Sequence, residues 1–244
     1  METHAVAMHM SDGLVNGGTA LLFGGVAIVA LAVALWRARA DLDDRTAPMA
    51  GLVTAFVFAV QMINFPILPG ASGHLLGGAL VAILVGPWVG MLCIAIVLVV
   101  QCLLFADGGI TALGANVTNM AVIGVLTGFG VAMLLRRFAR RSRTGLVVTA
   151  FVAALVNTVV ASLGFVLEYA IGGAGGASLS TVATLMVGMH VLIGIGEGVI
   201  TAATVGAVAA IRPDLVYLLR GSGPRLERRA SPAAGGTEAT GRVR

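Results

Sequence analysis

One apolar run decides how this chain folds: residues 71–105 read ASGHLLGGALVAILVGPWVGMLCIAIVLVVQCLLF. A helix that crosses a membrane needs about 20 mostly apolar residues, so this run is too long for one crossing. Gly86-Pro87 lies near its middle, and proline removes a backbone donor and clashes with the preceding helical turn. The run therefore predicts two helices, Gly73–Val85 and Trp88–Phe105, joined by a very short turn.

Five further apolar segments flank this pair, and each ends at a polar or glycine-rich stretch. They are residues 17–36, 49–68, 116–135, 146–170 and 181–211. The sequence thus predicts an all-α membrane protein, a bundle of about seven transmembrane helices. The composition agrees, because 58% of the 244 residues are hydrophobic and only 11% are charged, whereas soluble domains carry about 25% charged residues.

The positions of the basic residues predict the orientation of the bundle. All 15 are arginine. If seven helices alternate sides from an external amino terminus, every arginine falls on the inner side: three in residues 37–48, five in 136–143 and seven beyond Ile211. Basic residues concentrate in cytoplasmic loops, so we expect an N-out/C-in protein of a bacterial cytoplasmic membrane. The arginines are expected to meet anionic lipid and not nucleic acid.

The absence of lysine restricts the chemistry. A phosphate-binding loop of the GxxxxGK[ST] type needs a lysine, and so does a Schiff-base enzyme. ATP hydrolysis in the service of this chain would therefore belong to another subunit. The first residues also lack the basic region of a cleavable signal peptide.

The histidines lie on the side opposite to the arginines. His4, His9, His74 and His190 all fall on the predicted outer side or in the outer half of the predicted helices. Neutral imidazole is the commonest metal ligand, so their convergence predicts a site that loads metal from outside. For any one of them alone, a hydrogen bond between helices is the alternative. Glu197 shares a helix face with His190, and a mid-membrane carboxylate indicates a functional or network residue.

The beginning of the chain predicts a chelate. If translation or processing starts at Met8, the Met8 amine, the deprotonated His9 amide and the His9 imidazole offer three nitrogens in one plane. A nitrogen from His74 completes a square, the geometry that Ni(II) and Cu(II) favour. Because Met1–Ala7 precede Met8, this requires a start at Met8 or removal of the extension. A third option is a chelate by Glu2-Thr3-His4 after loss of Met1.

Four motifs resemble the CbiM/NikM family, the substrate-binding (S) components of energy-coupling-factor transporters for cobalt and nickel. They are Met-His-x-x-Asp-Gly from Met8, Phe-Pro followed by Gly-x-Ser-x-His-Leu-x-Gly around His74, ADGGITALGAN from Ala106 with Asn119, and HxxIGxGEGxIT from His190. The similarity runs from Met8 to about Ile211. The expected domains are therefore an extension over 1–7, a CbiM-like transmembrane domain over 8–211, and a cytoplasmic, largely disordered tail over 212–244.

The resemblance implies a function and a site. The amino-terminal segment would enter the bundle from outside, and the chain would capture Co²⁺ or Ni²⁺ there for ATP-driven import. No permanently bound cofactor is implied. The implied metal ligands are Met8, His9 and His74, with a supporting shell of Asp12, Asn116, Asn119, His190 and Glu197. The implied partners are a transmembrane coupling (T) subunit, cytoplasmic ATPase subunits and a small accessory membrane subunit like CbiN or NikN.

Two other functions fit part of the sequence. Gly70-Ala71-Ser72-Gly73 matches the G-x-S-G pattern of a rhomboid-like intramembrane serine protease, with His190 as the base of Ser72. The pattern is short, and it leaves Met8-His9 unexplained. A channel or sugar transporter is the third candidate, which the histidine placement disfavours.

Overall fold

The computed structural model describes residues 9–44, 46–68 and 71–220. A two-stranded antiparallel hairpin, β1 (Asn64–Leu68) and β2 (Ala71–His74), interrupts an otherwise helical fold. The helices are α1 (Gly17–Ala38), α2 (Thr46–Gln61), α3 (Gly78–Val85), α4 (Pro87–Phe105), α5 (Leu113–Leu134, with a π-helical turn over Thr118–Gly124), α6 (Arg136–Ala139), α7 (Arg143–Gly172) and α8 (Leu179–Ile211).

Five of these helices, α1, α4, α5, α7 and α8, are long and apolar enough to cross a membrane, and α2 is a shorter apolar helix. Large apolar side chains point outward along them, for example Leu21, Ile28, Leu104 and Leu192, which are 63–80% exposed. A girdle of this kind suits contact with lipid. The prediction of a helical membrane protein is therefore confirmed, with five or six helices of membrane length.

The prediction of about seven membrane-length helices is wrong at the third segment. Helix α3 has 8 residues, which span about 12 Å, and it begins at Gly78, where the sequence predicted Gly73. Gly77 adopts φ +79°, a left-handed conformation that glycine accepts without strain. The predicted second span, 49–68, likewise stops at Gln61 because residues 64–68 pair with 71–74 as strands.

Side chains and proline fix where the long helices start. Asn16, Ser142 and Ser178 occupy the N-cap positions of α1, α7 and α8, and each side-chain oxygen accepts a hydrogen bond from the amide three residues later. Pro87 is the first residue of α4, where its missing N–H costs nothing. The expected break at Gly86-Pro87 is therefore observed.

Helix α3 lies in the centre of the bundle. All eight of its residues are buried, and it packs against α2, α4, α5, α7 and α8. A small residue on α5 permits this packing, because a Cβ on Gly128 would lie 2.7 Å from the Ala79 Cα of α3. The core thus depends on backbones that approach one another closely.

The sequence predicts a cytoplasmic, largely disordered tail over 212–244, and the first part of this stretch, residues 213–220, packs against the bundle. Two 3₁₀ turns, Pro213–Leu215 and Tyr217–Leu219, bury Val216 and Leu218 almost completely. The Arg136 Nε donates a hydrogen bond to the Leu218 carbonyl (3.1 Å). The apolar side chains of this short stretch therefore extend the folded domain beyond the last long helix.

The described arginines and histidines lie at opposite ends of the bundle. At the start of α2, Arg220 donates to the Thr46 hydroxyl (2.9 Å). At the other end of α2, the Gln61 side chain donates to the Leu76 carbonyl (2.7 Å), close to His74. We call these the arginine end and the histidine end of the molecule.

We expect Gly128→Val to destabilise the bundle, because the new side chain would meet the Ala79 backbone and overpacking costs about 1–3 kcal/mol. The matched control is Gly130→Val on the same helix, where an added Cβ meets nothing within 4 Å. Thermal unfolding of the purified protein in detergent measures both. Equal melting temperatures for the two variants would contradict the close α3–α5 contact.

Candidate functional site

The amino-terminal segment enters the bundle at the histidine end. The Asn16 amide donates to the Gly172 carbonyl (2.7 Å), and the Ala174 amide donates to the Leu14 carbonyl (2.9 Å). Val15 and Gly173 form an isolated antiparallel bridge between these bonds. Met10, further toward the amino terminus, is only 1% exposed. The segment therefore passes from Asn16 at the surface to Met10 inside the bundle when it is followed toward the amino terminus.

The loop that follows α4 and the first turn of α5 hold the backbone of this segment. The Asn116 side chain accepts a hydrogen bond from the Met10 amide (3.1 Å) and donates one to the Met10 carbonyl (3.2 Å). The Gly109 amide donates to the same carbonyl (3.0 Å). A Cβ on Gly109 would clash with Asp12, so the close approach requires glycine. Asn116, which the sequence placed in the supporting shell, fixes the residue next to His9.

Asp12 fastens the same segment from the surface side. Its Oδ1 accepts hydrogen bonds from the Thr111 amide (2.8 Å) and the Thr111 hydroxyl. The hydroxyl bond is the main reason why the pKa of Asp12 lies below its ordinary value, although partial burial opposes it. Asp12 is therefore an ionised anchor of the segment at neutral pH.

The His9 and His74 rings lie side by side, with centroids 4.4 Å apart. The His9 Nδ1 lies 3.2 Å from the Asp107 Oδ1, and the His74 Nδ1 lies 2.9 Å from the Leu75 carbonyl oxygen. Because each Nδ1 faces an acceptor, it carries the hydrogen, and the lone pair of each ring is on Nε2. Within the described residues, the buried Nε2 of His9 has no hydrogen-bond partner.

A third imidazole, His190, faces the same cavity. Its Nδ1 lies 2.7 Å from the Met186 carbonyl oxygen one helical turn earlier, so its Nε2 is also the unprotonated nitrogen. Gly73 allows the hairpin to lie this close to α8, because a Cβ there would lie 3.4 Å from the His190 ring and collide with Ile193. Helix α8 and the hairpin thus pack directly at the site.

These groups enclose a cavity of about 40 Å³ at the histidine end, room for one water molecule or one small ion. Its walls are His9, Met10, His74, Leu76, Asn116, Asn119, Met120, Ala161, Ser162, Phe165, Met186 and His190. Five of the residues named from the sequence line it together. We find no group of three or more His, Cys, Asp or Glu side chains in the described residues that could hold a metal ion.

Glu197 lies behind the cavity and not in its wall. Its carboxylate accepts hydrogen bonds from the backbone amides of Leu76 (2.8 Å) and Gly77 (3.0 Å). It also accepts from the side chains of Asn157 (3.0 Å) and Thr158 (2.8 Å). Glu197 therefore fixes the chain between His74 and α3, and through it the position of the imidazole.

Asn119 connects the cavity to a second buried carboxylate. Its side chain lines the cavity and donates to the Glu168 Oε2 (2.7 Å). Glu168 is fully buried, and its other oxygen has no hydrogen-bond partner within the described residues. Gly164 leaves space for the Asn119 amide, with which a Cβ would collide.

Sequence reasoning named most of this site but missed three polar residues. Asp107, Gln61 and Glu168 contact His9, Leu76 and Asn119 respectively. The sequence does contain a pattern that indicates them, because each is a polar residue within or next to an apolar run. Met8, the predicted amine donor, lies outside the described residues.

The fold and the site define a class: a multi-pass membrane protein with an inserted amino-terminal segment and a small, imidazole-lined cavity at one end. Residues 9–215 match the CbiM family, described as a cobalt uptake substrate-specific transmembrane region. This chain belongs to that family of cobalt and nickel transport membrane components, which are not enzymes. The protease hypothesis on Ser72 and His190 is therefore wrong.

Individual proteins that are similar to this chain are also described as metal transport proteins. The chain is 41% identical over 209 residues to a putative fused nickel transport protein NikMN of Archaeoglobus fulgidus, covering 86% of this chain and 68% of that protein. It is 33% identical over 220 residues to the cobalt transport protein CbiM of Sorangium cellulosum, covering 87% and 96%. A crystal structure of a transition metal transporter superposes with a TM-score of 0.76 at 28% identity, covering 88% and 100%.

We expect Glu197→Ala to destabilise the protein, because the two buried backbone amides of Leu76 and Gly77 would lose their acceptor. Each buried group left unpaired costs about 1–3 kcal/mol. The control is Asp214→Asn, which removes a carboxylate from the exposed pair with Arg212, where little is expected. Melting temperatures in detergent provide the comparison. Similar values for both variants would mean that Glu197 does not hold the segment around Leu76.

Proposed function

We propose that this chain is the ion-capture component of an energy-coupling-factor transporter, which binds Co²⁺ or Ni²⁺ at the histidine end for ATP-driven import. The supporting observation is the contact between the His9 and His74 rings inside the bundle. Two imidazoles from segments 65 residues apart meet in a cavity the size of one ion. Membership in the CbiM family supports cobalt or nickel transport as the purpose of this cavity.

The proposed ligands are the Met8 amine, the His9 amide and imidazole, and the His74 imidazole. Four nitrogens in a square suit Ni(II) and also accept Co(II). Only two side chains are needed in this arrangement, those of His9 and His74, and both line the cavity. The amine is available only if the mature chain begins at Met8.

The supporting residues have distinct proposed roles. Asn116 and Asp12 hold the inserted segment, Glu197 holds the backbone after His74, and Asn119 and His190 shape the cavity wall. None of these needs to touch the ion. Because they fix backbone and ring positions, they would reduce the ordering cost that binding otherwise incurs.

The arginine end is proposed to face the cytoplasm, by the positive-inside rule, in the cytoplasmic membrane. The histidine end then opens to the outside, where the ion is captured. The arginines would contact anionic lipid headgroups. In this topology the chain crosses the membrane once between the hairpin and Gly86. The eight-residue helix α3 is too short for that crossing alone, so the extended residues before it supply the rest.

The proposed partners follow from what this chain lacks and from its relatives. Without lysine it cannot form the phosphate-binding loop of an ATPase, so a coupling subunit and ATPase subunits would supply the energy. Relatives from Archaeoglobus fulgidus and Rhodobacter capsulatus are named as fused NikMN proteins. A small accessory N-type subunit is therefore proposed as a further partner.

We expect His9→Ala and His74→Ala each to abolish Ni²⁺ and Co²⁺ binding and uptake, since each removes one of the proposed nitrogens. His4→Ala, upstream of Met8, is the control and should leave uptake unchanged. Isothermal titration and labelled-ion uptake measure these variants, and competition between the two ions decides the substrate. Wild-type uptake by either ligand variant would exclude the proposed site, and intact Met1 in active protein, detected by mass spectrometry, would exclude the Met8 amine.

Orientation is testable by cysteine labelling. In a background without Cys93 and Cys102, we expect Ser180→Cys to react with a membrane-impermeant maleimide on intact cells. Arg141→Cys should react only after the cells are opened. Both positions are exposed in the structure. The reverse pattern would overturn the N-out/C-in proposal.

A further inference from the structure

A second cavity lies at the arginine end of the molecule, and it is much larger than the one that the histidines line. Its volume is about 360 Å³. Four parts of the chain form its walls: Asp41 after α1, Phe129 and Met133 of α5, Arg136 of α6, and Tyr217, Leu218 and Arg220 beyond α8. None of these residues belongs to the proposed metal site, so the cavity needs an explanation of its own.

Positive charge is gathered beside this cavity. The Arg136 and Arg140 side chains both donate from Nη2 to the Arg220 carbonyl (2.7 and 3.1 Å), so two guanidinium groups meet at one oxygen. The Arg220 guanidinium is itself held by the Thr46 hydroxyl (2.9 Å). Desolvation and then the positive charge of Arg140 lower the pKa of Arg136. Like charges held this close together favour a bound anion.

The guanidinium groups that line the cavity have hydrogen-bond donors to spare. Each has five N–H donors, of which Arg136 uses two and Arg220 one within the described residues. One carboxylate, Asp41, shares the wall, and it is hydrogen-bonded to the Tyr217 hydroxyl. Positive charge therefore exceeds negative charge among the described residues here, and planar guanidinium groups suit the oxygens of a phosphate.

Another part of the cavity wall is apolar. Phe129 and Met133 belong to the last turns of α5, and Leu134, next to Met133, is 80% exposed. This end of α5 thus presents a hydrocarbon surface beside the arginines. A ligand that suits both surfaces carries an anionic group next to an apolar chain, whereas free phosphate would use the arginines alone.

The tryptophans place this cavity at the depth of lipid headgroups. The chain has two, and the Arg37 guanidinium lies 5.1 Å from the ring centroid of Trp36 and 5.5 Å from that of Trp88. Tryptophan concentrates where a membrane meets water. Gly86, two residues before Trp88, packs so closely on the Tyr217 ring that a Cβ would lie 2.7 Å from it. The cavity wall is therefore next to the interfacial layer.

We propose that the cavity at the arginine end binds the phosphate of an anionic lipid, with Arg136 and Arg220 as hydrogen-bond donors and the end of α5 against the acyl chain. General attraction of basic segments to an anionic membrane needs no cavity, and a bound phosphate distinguishes this site from it. The lipid would join the loop after α1, the end of α5 and the segment beyond α8. This inference does not depend on the metal site.

The test adds lipid to the purified full-length protein in neutral detergent. Melting temperature and native mass spectrometry follow binding. We expect phosphatidylglycerol to stabilise the protein more than phosphatidylcholine does, and inorganic phosphate to have no such effect. Arg220→Gln should raise the Kd for phosphatidylglycerol about tenfold, because it removes a charge-assisted hydrogen bond. The matched control is Arg137→Gln, an exposed arginine of α6 that does not line the cavity.

A second pair of variants tests the same site without removing an arginine. Met133→Glu places a carboxylate in the cavity wall, where it competes with the phosphate for the guanidinium groups. The specific stabilisation by phosphatidylglycerol should then be lost. Met133→Gln has the same size without the charge and should retain it.

Three outcomes would overturn the inference. Equal stabilisation by the two lipids, or equal losses in Arg220→Gln and Arg137→Gln, would mean that only general charge attraction operates. Stabilisation by inorganic phosphate as large as that by phosphatidylglycerol would mean a site for a free anion and not for a lipid. If Arg220→Gln does not fold, the Met133 pair decides, because those variants leave every arginine hydrogen bond in place.

Discussion

The architecture depends on how the backbone amides of Leu76 and Gly77 are satisfied. They lie between a hairpin and a short helix, in a buried stretch where an unpaired amide is costly. The Glu197 carboxylate accepts hydrogen bonds from both, and Asn157 and Thr158 complete its coordination. This one side chain allows a non-helical segment to lie buried inside the bundle. The irregular segment in turn carries His74 to the cavity.

Hydrogen bonds to backbone groups also hold the amino-terminal segment, which carries His9. The inserted segment is held mainly through its backbone, by Asn116, Gly109 and the residues around Gly173. Its histidine side chain is left to face inward. Backbone contacts fix both imidazole-bearing segments, so the rings meet without either one forming part of a regular helix. Asp107 then adds the only charged contact to either ring in the described residues.

Much of the helical framework could be predicted from the sequence, because each long apolar run is a local signal. The α1 and α4 boundaries and the break at Gly86-Pro87 agree closely with the structure. The hairpin and the shortening of α3 could not be predicted in this way. They depend on Glu197, 120 positions away, which no local pattern reveals. The predicted topology placed His9, His74 and His190 on one side of the bundle, and the family resemblance assigned them to one site. The part of Asp107 became evident only from its contact with His9.

The bond between Leu14 and Ala174 has a consequence for biogenesis. Residues that leave the ribosome early have their docking partners in a loop synthesised some 160 residues later. This contact can therefore form only after residue 174 has left the ribosome, by which point all the long helices except the last have left it too. Assembly of the cavity is a late event in maturation, and an unfinished chain would present its histidines without the walls that enclose them.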